Sequence, residues 1–139
     1  MLVFPGEDHS PEFSPDGEKV VFASGRTGGE DLWLCDRDGR HLTRLTTSGG
    51  PTGSPHWSPD GRWIAFDSHI RSNAAIYVVS AQGGPWRRLT SEEFLDNLPA
   101  WSHDGRSIYF RSTRTGRGEV LQDSRRGWTG PATDPYRGV

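Results

Sequence analysis

Two groups of polar residues return at matching places along this chain and could recognise a ligand. Asp8 and His9 are answered by Asp96 and Asn97, while Arg26, Arg71, Arg114 and Arg117 form the second group. Guanidinium groups hold carboxylates and phosphates through paired hydrogen bonds. An Arg-bearing surface around an acid-tinged centre therefore suits a peptide terminus or a small anion. The competing reading is that these are loop residues, polar because they face water.

Other chemistries find less support. Asp16, Asp60 and Asp104 recur in Pro-Asp-Gly or His-Asp-Gly turns, where an Asp side chain caps its own turn. Standing on separate repeats, they have no common point on which to converge. Asp36-Arg37-Asp38-Gly39 opens like a calcium loop but lacks the downstream bidentate Glu, so it reads as a hairpin turn. The 5 histidines, His9, His41, His56, His69 and His103, share no repeat position and show no helical spacing. No metal is expected, and His9 and His56 are the two to watch. No Ser sits in Gly-x-Ser-x-Gly, and the lone Cys35 reads as a strand residue with no disulfide partner. Neither a catalytic residue nor a cofactor is expected.

The elements that position these residues come from a repeat. Phe13-Ser14-Pro15-Asp16-Gly17 returns as Trp57-Ser58-Pro59-Asp60-Gly61 and as Trp101-Ser102-His103-Asp104-Gly105, a constant spacing of 44 between positions 13, 57 and 101. Pro11, Pro55 and Pro99 keep the same register, as do Val20, Ile64 and Ile108, then Phe22, Phe66 and Phe110, then Ser24, Ser68 and Ser112. A fixed period of this length marks a solenoid, propeller or array. Of the tryptophans, Trp57 and Trp101 share the place of Phe13 and read as packing between units. Trp63, Trp86 and Trp128 are off that register, which leaves room for some of them to be exposed; Trp33 completes the set. Packing is preferred to a stacking platform, because units of this kind need large flat side chains between them.

The second unit is the clearest. An extended stretch at 54–58 ends at the Pro-Asp-Gly turn, where Pro presets φ and Gly admits positive φ. Residues 62–68 then alternate, with Ile64 and Phe66 on one face. A polar loop at 69–73 leads to a β-branched and aromatic strand at 75–79, a turn at 81–84 and a more polar strand at 85–90. The first unit gives strands at 12–14, 19–24, 31–35 and 42–46. The third gives 100–102, 107–112 and Val120-Leu121, then decays: Pro131 and Pro135 fit a fourth strand poorly. The expected boundaries are about 5–46, 49–90 and 93–134 for the three units.

The bulk numbers agree with an all-β domain. Hydrophobic residues are only 32% of the 139, yet 11% aromatics and regular apolar spacing argue against disorder. The 18 Gly and 10 Pro suit many short strands joined by tight turns. A net charge of −2 gives no footprint for nucleic acid. No apolar run approaches the roughly 20 residues needed to span a bilayer, and the first residues carry no secretion signal. As written, a cytoplasmic protein is expected, and a periplasmic one if the chain is a mature form or a fragment.

Trp-Ser-Pro-Asp-Gly, then Ile-x-Phe-x-Ser, Ile-Tyr, Gly-Gly and Arg-Leu-Thr together resemble the repeat of TolB-like β-propellers, the WD-repeat-like Pro-Asp repeat. The likeness extends over residues 1 to about 123 and is similar also to blades of prolyl-oligopeptidase-type propellers. The resemblance implies four-stranded blades, usually six to a ring, and an interaction scaffold with no chemistry of its own. This chain supplies three blades. An open arc exposes two blade faces, so the expectation is a homodimer closing a six-bladed ring, with a protein or peptide as further partner. The alternative is the propeller of a larger enzyme or regulator whose active domain lies elsewhere.

Overall fold

A computed structural model describes residues 7–124, all of them strand, turn or loop. Three successive meanders make up the fold. The first sheet runs β1 (Asp8–Phe13), β2 (Lys19–Ser24), β3 (Asp31–Asp36) and β4 (Thr43–Arg44), with spatial order equal to chain order. The second repeats this with β5 (Thr52–Trp57), β6 (Trp63–Ser68), β7 (Ala75–Ser80) and β8 (Arg87–Arg88). The third contains β9 (Asp96–Trp101), β10 (Ser107–Ser112) and β11 (Glu119–Ser124). Its expected fourth strand near 131–134, and Trp128, lie outside the described residues.

The repeated motif is a turn with its own internal bonding. Ser14 Oγ donates to Asp16 Oδ1 at 2.6 Å and accepts from the Lys19 amide at 2.9 Å, while the Glu18 amide donates to Asp16 Oδ1 at 3.0 Å. Ser58 with Asp60 and Ser102 with Asp104 do the same, each at 2.6 Å. The closing glycines, Gly17, Gly61 and Gly105, sit at φ of 73°, 71° and 70°, where a side chain would be strained. These hydrogen bonds from the serine and the following amide hold Asp16 and Asp104 below the usual carboxylate range. For Asp60, burial pushes the other way, but the same bonds prevail. The Asp36–Gly39 segment is likewise a hairpin turn, closed by Gly39 N to Asp36 O at 2.8 Å.

Two sequence expectations are corrected. Asp8, His9, Asp96 and Asn97, placed in loops, stand at the starts of β1 and β9, because those strands begin earlier than 12 and 100. The missing half is paired after a bulge: Asp8 faces Ser24 and His9 faces Ala23, then the register slips before Glu12. The slip recurs in the other blades, with Ser10, Ser54 and Leu98 at φ of 53°, 50° and 54°. A bulge of this kind bends the strand and re-aims its side chains. The outer strands are also shorter than the expected 42–46 and 85–90. After two ladder residues, Thr46 Oγ1 takes the Leu32 amide and Thr90 Oγ1 takes the Ile76 amide, both at 3.0 Å. A hydroxyl there replaces the carbonyl that a longer strand would supply.

The core lies in the seams between blades. Val21, Leu32 and Leu34 of the first blade pack against Trp57, Ile64, Phe66 and Tyr77 of the second. Ala65, Ile76 and Val78 on its other face meet Trp101, Ile108 and Phe110 of the third. Phe66 stacks on Tyr77 at 5.6 Å, and Tyr77 meets the edge of Trp86 at 5.2 Å. Burial, aided by the Glu92 carboxylate, pushes the Tyr77 hydroxyl up to about 12. The repeat position 13/57/101 reports the arc's open end: Trp57 is 4% exposed and Trp101 7%, but Phe13 is 61% exposed.

Candidate functional site

The start of each innermost strand faces the loop between its second and third strands, since Asp8 pairs with Ser24 and Asp96 with Ser112. This brings Asp8 beside Arg26 and Asp96 beside Arg114 at one end of the strands, the mouth end. There they meet as pairs. Arg26 donates to Asp8 Oδ1 at 2.8 Å and to Ser24 Oγ at 2.9 Å. Arg114 repeats the arrangement with Asp96 Oδ2 at 2.8 Å and Ser112 Oγ at 3.0 Å. Arg26 also stacks over Phe22 and Trp33, and Arg114 over Phe94 and Phe110. In the second blade the same positions hold Thr52 and Ile70. Arg71 is thus one residue out of register with Arg26 and Arg114 and makes no such pair.

The remaining candidates sort by what they touch. His9 Nε2 lies 2.9 Å from Glu30 Oε1. Arg71 and Arg117 are exposed in the connections after β6 and β10. Asp96 Oδ1 and Asn97 Oδ1 are buried atoms that meet no donor among the described residues. Beneath the mouth a polar network holds the first two blades together. Asp31, fully buried, accepts from Thr46 Oγ1 at 2.9 Å and the Ser48 amide at 2.8 Å and pairs with Arg44. Ser48 Oγ contacts Thr52 Oγ1 at 2.6 Å, which contacts Ser68 Oγ at 2.8 Å.

Sequence reasoning missed residues that join the blades. The Trp57 amide donates to Glu12 Oε2 at 3.0 Å, and its indole donates to the Glu12 carbonyl at 3.2 Å. One blade on, the Trp101 amide donates to His56 Nδ1 at 3.1 Å. Glu12 and His56 occupy one repeat position, whose third occupant is Ala100. The signal was therefore present as a polar residue just before the repeated aromatic at 13 and 57, lost at 101. His56 Nε2 lies 3.7 Å from Glu12 Oε1. Burial raises the Glu12 carboxyl, against the lowering effects of His56 and the Trp57 amide.

Asp67 adds a second inter-blade acceptor, taking the Leu98 amide at 2.9 Å. Burial raises its pKa above the ordinary 3.8, outweighing this bond and one from Ser54. The folded chain therefore holds the Asp67 proton more tightly than the unfolded chain. Its contribution to stability is fully present below pH 3.8 and is lost as pH rises through the folded-state value. Asp67→Asn keeps an oxygen for the Leu98 amide and abolishes the titration. Urea midpoints measured between pH 3.5 and 7 should fall less steeply in this variant than in the wild type.

Among the described residues no group of three His, Cys, Asp or Glu side chains is arranged to hold a metal, and no helix is long and apolar enough to cross a membrane.

Residues 27–125 match the family described as the tricorn protease N-terminal β-propeller domain. No curated protein matches the chain. Among solved structures, TolB from Acinetobacter baumannii is similar with a TM-score of 0.80 and 25% identity over 88% of this chain and 31% of that one. The putative TolB from Agrobacterium tumefaciens gives 0.78 and 28%, covering 85% and 43%. Tricorn protease gives 0.66 and 20%, covering 82% and 12%, a likeness of fold. The chain spans less than half the length of each of these proteins.

Proposed function

The chain belongs to the family of the tricorn protease N-terminal β-propeller domain, and from that premise we propose that it is a non-catalytic binding scaffold of the TolB type. The observation that carries this reading is the likeness to two TolB structures over at least 85% of the chain, supported by the charged side chains gathered at the mouth end of the strands. The ring is completed by a second copy, the third blade of each chain packing on the first blade of its partner. Six blades result, within the range at which propellers close. Phe13 then receives the cover that Trp57 and Trp101 already have. Arg71 and Arg117 contact the carboxylates of a peptide partner at the rim, while Arg26 and Arg114 shape the mouth through Asp8 and Asp96.

Light scattering tests the assembly: a mass twice that of one chain is expected, and a folded monomer overturns closure by a second copy. The seam between copies brings Ala100 to Phe13, so it lacks the acceptor that Glu12 and His56 supply elsewhere. Ala100→Glu should restore it. A hydrogen bond to a charged group contributes about 1.5–3 kcal/mol, so dimer dissociation measured by dilution should weaken at least about tenfold.

A second reading is favoured by the family itself, whose defining member is the propeller of a protease. In it the chain is the propeller part of a larger enzyme or regulator and the remaining blades come from the same polypeptide. A stable monomer whose Phe13 face binds no second copy is its signature.

A further inference from the structure

The two outer faces of the arc depart from the repeat with opposite charge. In the third blade Ile108, Phe110 and Leu121 turn toward the second. Tyr109, Arg111 and Val120 stand on the other face, since Arg111 lies directly opposite Val120 in the ladder and strand side chains alternate. The same positions hold Val21, Ala23 and Leu32 in the first blade, then Ala65, Asp67 and Ile76 in the second. Their apolar members pack on the next blade. On the third blade this face is open, with Val120 72% exposed, and the place of Ala23 and Asp67 has become basic.

Glu7 marks the other side of the arc. It is exposed just before β1, where the later blades have Pro51 and Leu95. Neither its carboxylate nor the Arg111 guanidinium has a partner among the described residues. We propose that Arg111 of one chain pairs with Glu7 of a second copy across the seam that closes the ring. This rests on the dimeric reading above and names the contact that would direct the third blade to the first.

The second seam supplies the template. There the Asp96 amide donates to the Ala74 carbonyl at 2.9 Å, which sets the start of β9 against the residue just before β7. In the repeat Ala74 corresponds to Gly118, and Leu95-Asp96 to Glu7-Asp8. Closure by a second copy therefore brings Glu7-Asp8 against Gly118. The Arg111 guanidinium is already at that point, because a Cβ built on Gly118 would lie 2.6 Å from one of its nitrogens. Asp8 is engaged by Arg26 of its own chain, which leaves Glu7 to receive Arg111. The internal seams have no such pair: Ala23 is set toward Pro51, and Asp67 toward Leu95. Opposite charges across an interface choose the partner and its register more than they add affinity. Exposed Phe13 and Val120 on the two faces supply apolar surface for the seam itself.

The test exchanges the charges. Arg111→Glu and Glu7→Arg, both at exposed positions, each oppose like charges at both seams of their own dimer. Mixed in equal amounts, the two variants form a ring with one native pair and one exchanged pair. In analytical ultracentrifugation each variant alone should dissociate at least about tenfold more readily than the wild type, and the mixture should recover to within about threefold of it. A wild-type dimer whose variants dissociate no more readily, or a mixture no tighter than its components, overturns the pair and leaves the dimer standing. A wild-type chain that stays a folded monomer overturns both.

Discussion

Replacing Trp57 by alanine should cost the chain about 3–5 kcal/mol, a large part of the roughly 5–15 kcal/mol that holds a domain together. The indole is buried in the first seam among Leu32, Leu34 and Phe66, and its N–H is satisfied by the Glu12 carbonyl. Alanine leaves a cavity between two sheets that have their own hydrogen bonds and cannot collapse to fill it. The urea midpoint should drop accordingly. Phe13→Ala is the matched control, the same repeat position without a neighbouring blade. It should lower the stability of a free monomer by less than about 1 kcal/mol, since exposed positions contribute little. In a closed ring Phe13 acquires a seam of its own, and its replacement then weakens the dimer. The difference between the two variants thus reads out how many seams each chain forms.

Gly50→Ala should be nearly as damaging, at about 3 kcal/mol, for a reason invisible in any count of contacts. A Cβ built on Gly50 would sit 1.9 Å from the His69 carbonyl oxygen and 3.0 Å from its carbon. Both atoms are backbone, so the connection between blades must move, and overpacking of this kind costs 1–3 kcal/mol or more. The shift would pull on Ser48 and Thr52, which both donate to the Gly50 carbonyl at 3.1 Å, and through Ser48 on Asp31. Gly29→Ala is the comparison, because its Cβ would meet Gly49 no closer than 3.6 Å. Thermal melting should separate the two clearly.

The repeat made the second strands legible to the residue, because 19–24 and 107–112 alternate and end at serine in register. It also located the turns, whose Pro, Asp and Gly have local reasons to be there. The first halves of β1, β5 and β9 were hidden. Asp8-His9-Ser10, Thr52-Gly53-Ser54 and Asp96-Asn97-Leu98 share no composition, and what they do share is a backbone bulge that any of these residues can adopt. The mouth was legible as a place but not as a set of bonds. Loop position predicts that Arg26 and Asp8 are near, whereas their pairing depends on strand register and on Ser24 behind them. Arg71 shows the limit: it looked like the middle member of a series, yet Ile70 holds the structural position. The joining residues escaped because Glu12 and His56 differ in chemistry and are alike only as acceptors.

The bonds from Glu12 to Trp57 and from His56 to Trp101 run in one direction along the chain, each blade offering an acceptor to the amide of the next. Such contacts are heterologous: two unlike surfaces meet, and each added unit carries forward the same unmet surface. Head-to-tail joining has no built-in stop. Copies linked in this way either return on themselves after a full turn or continue as a fibre, and the rotation contributed by each seam decides between them. A loosened bulge at Ser10, Ser54 or Leu98 would alter that rotation before it altered any blade. Its first visible consequence would be rising turbidity with concentration, from blades that are still individually folded.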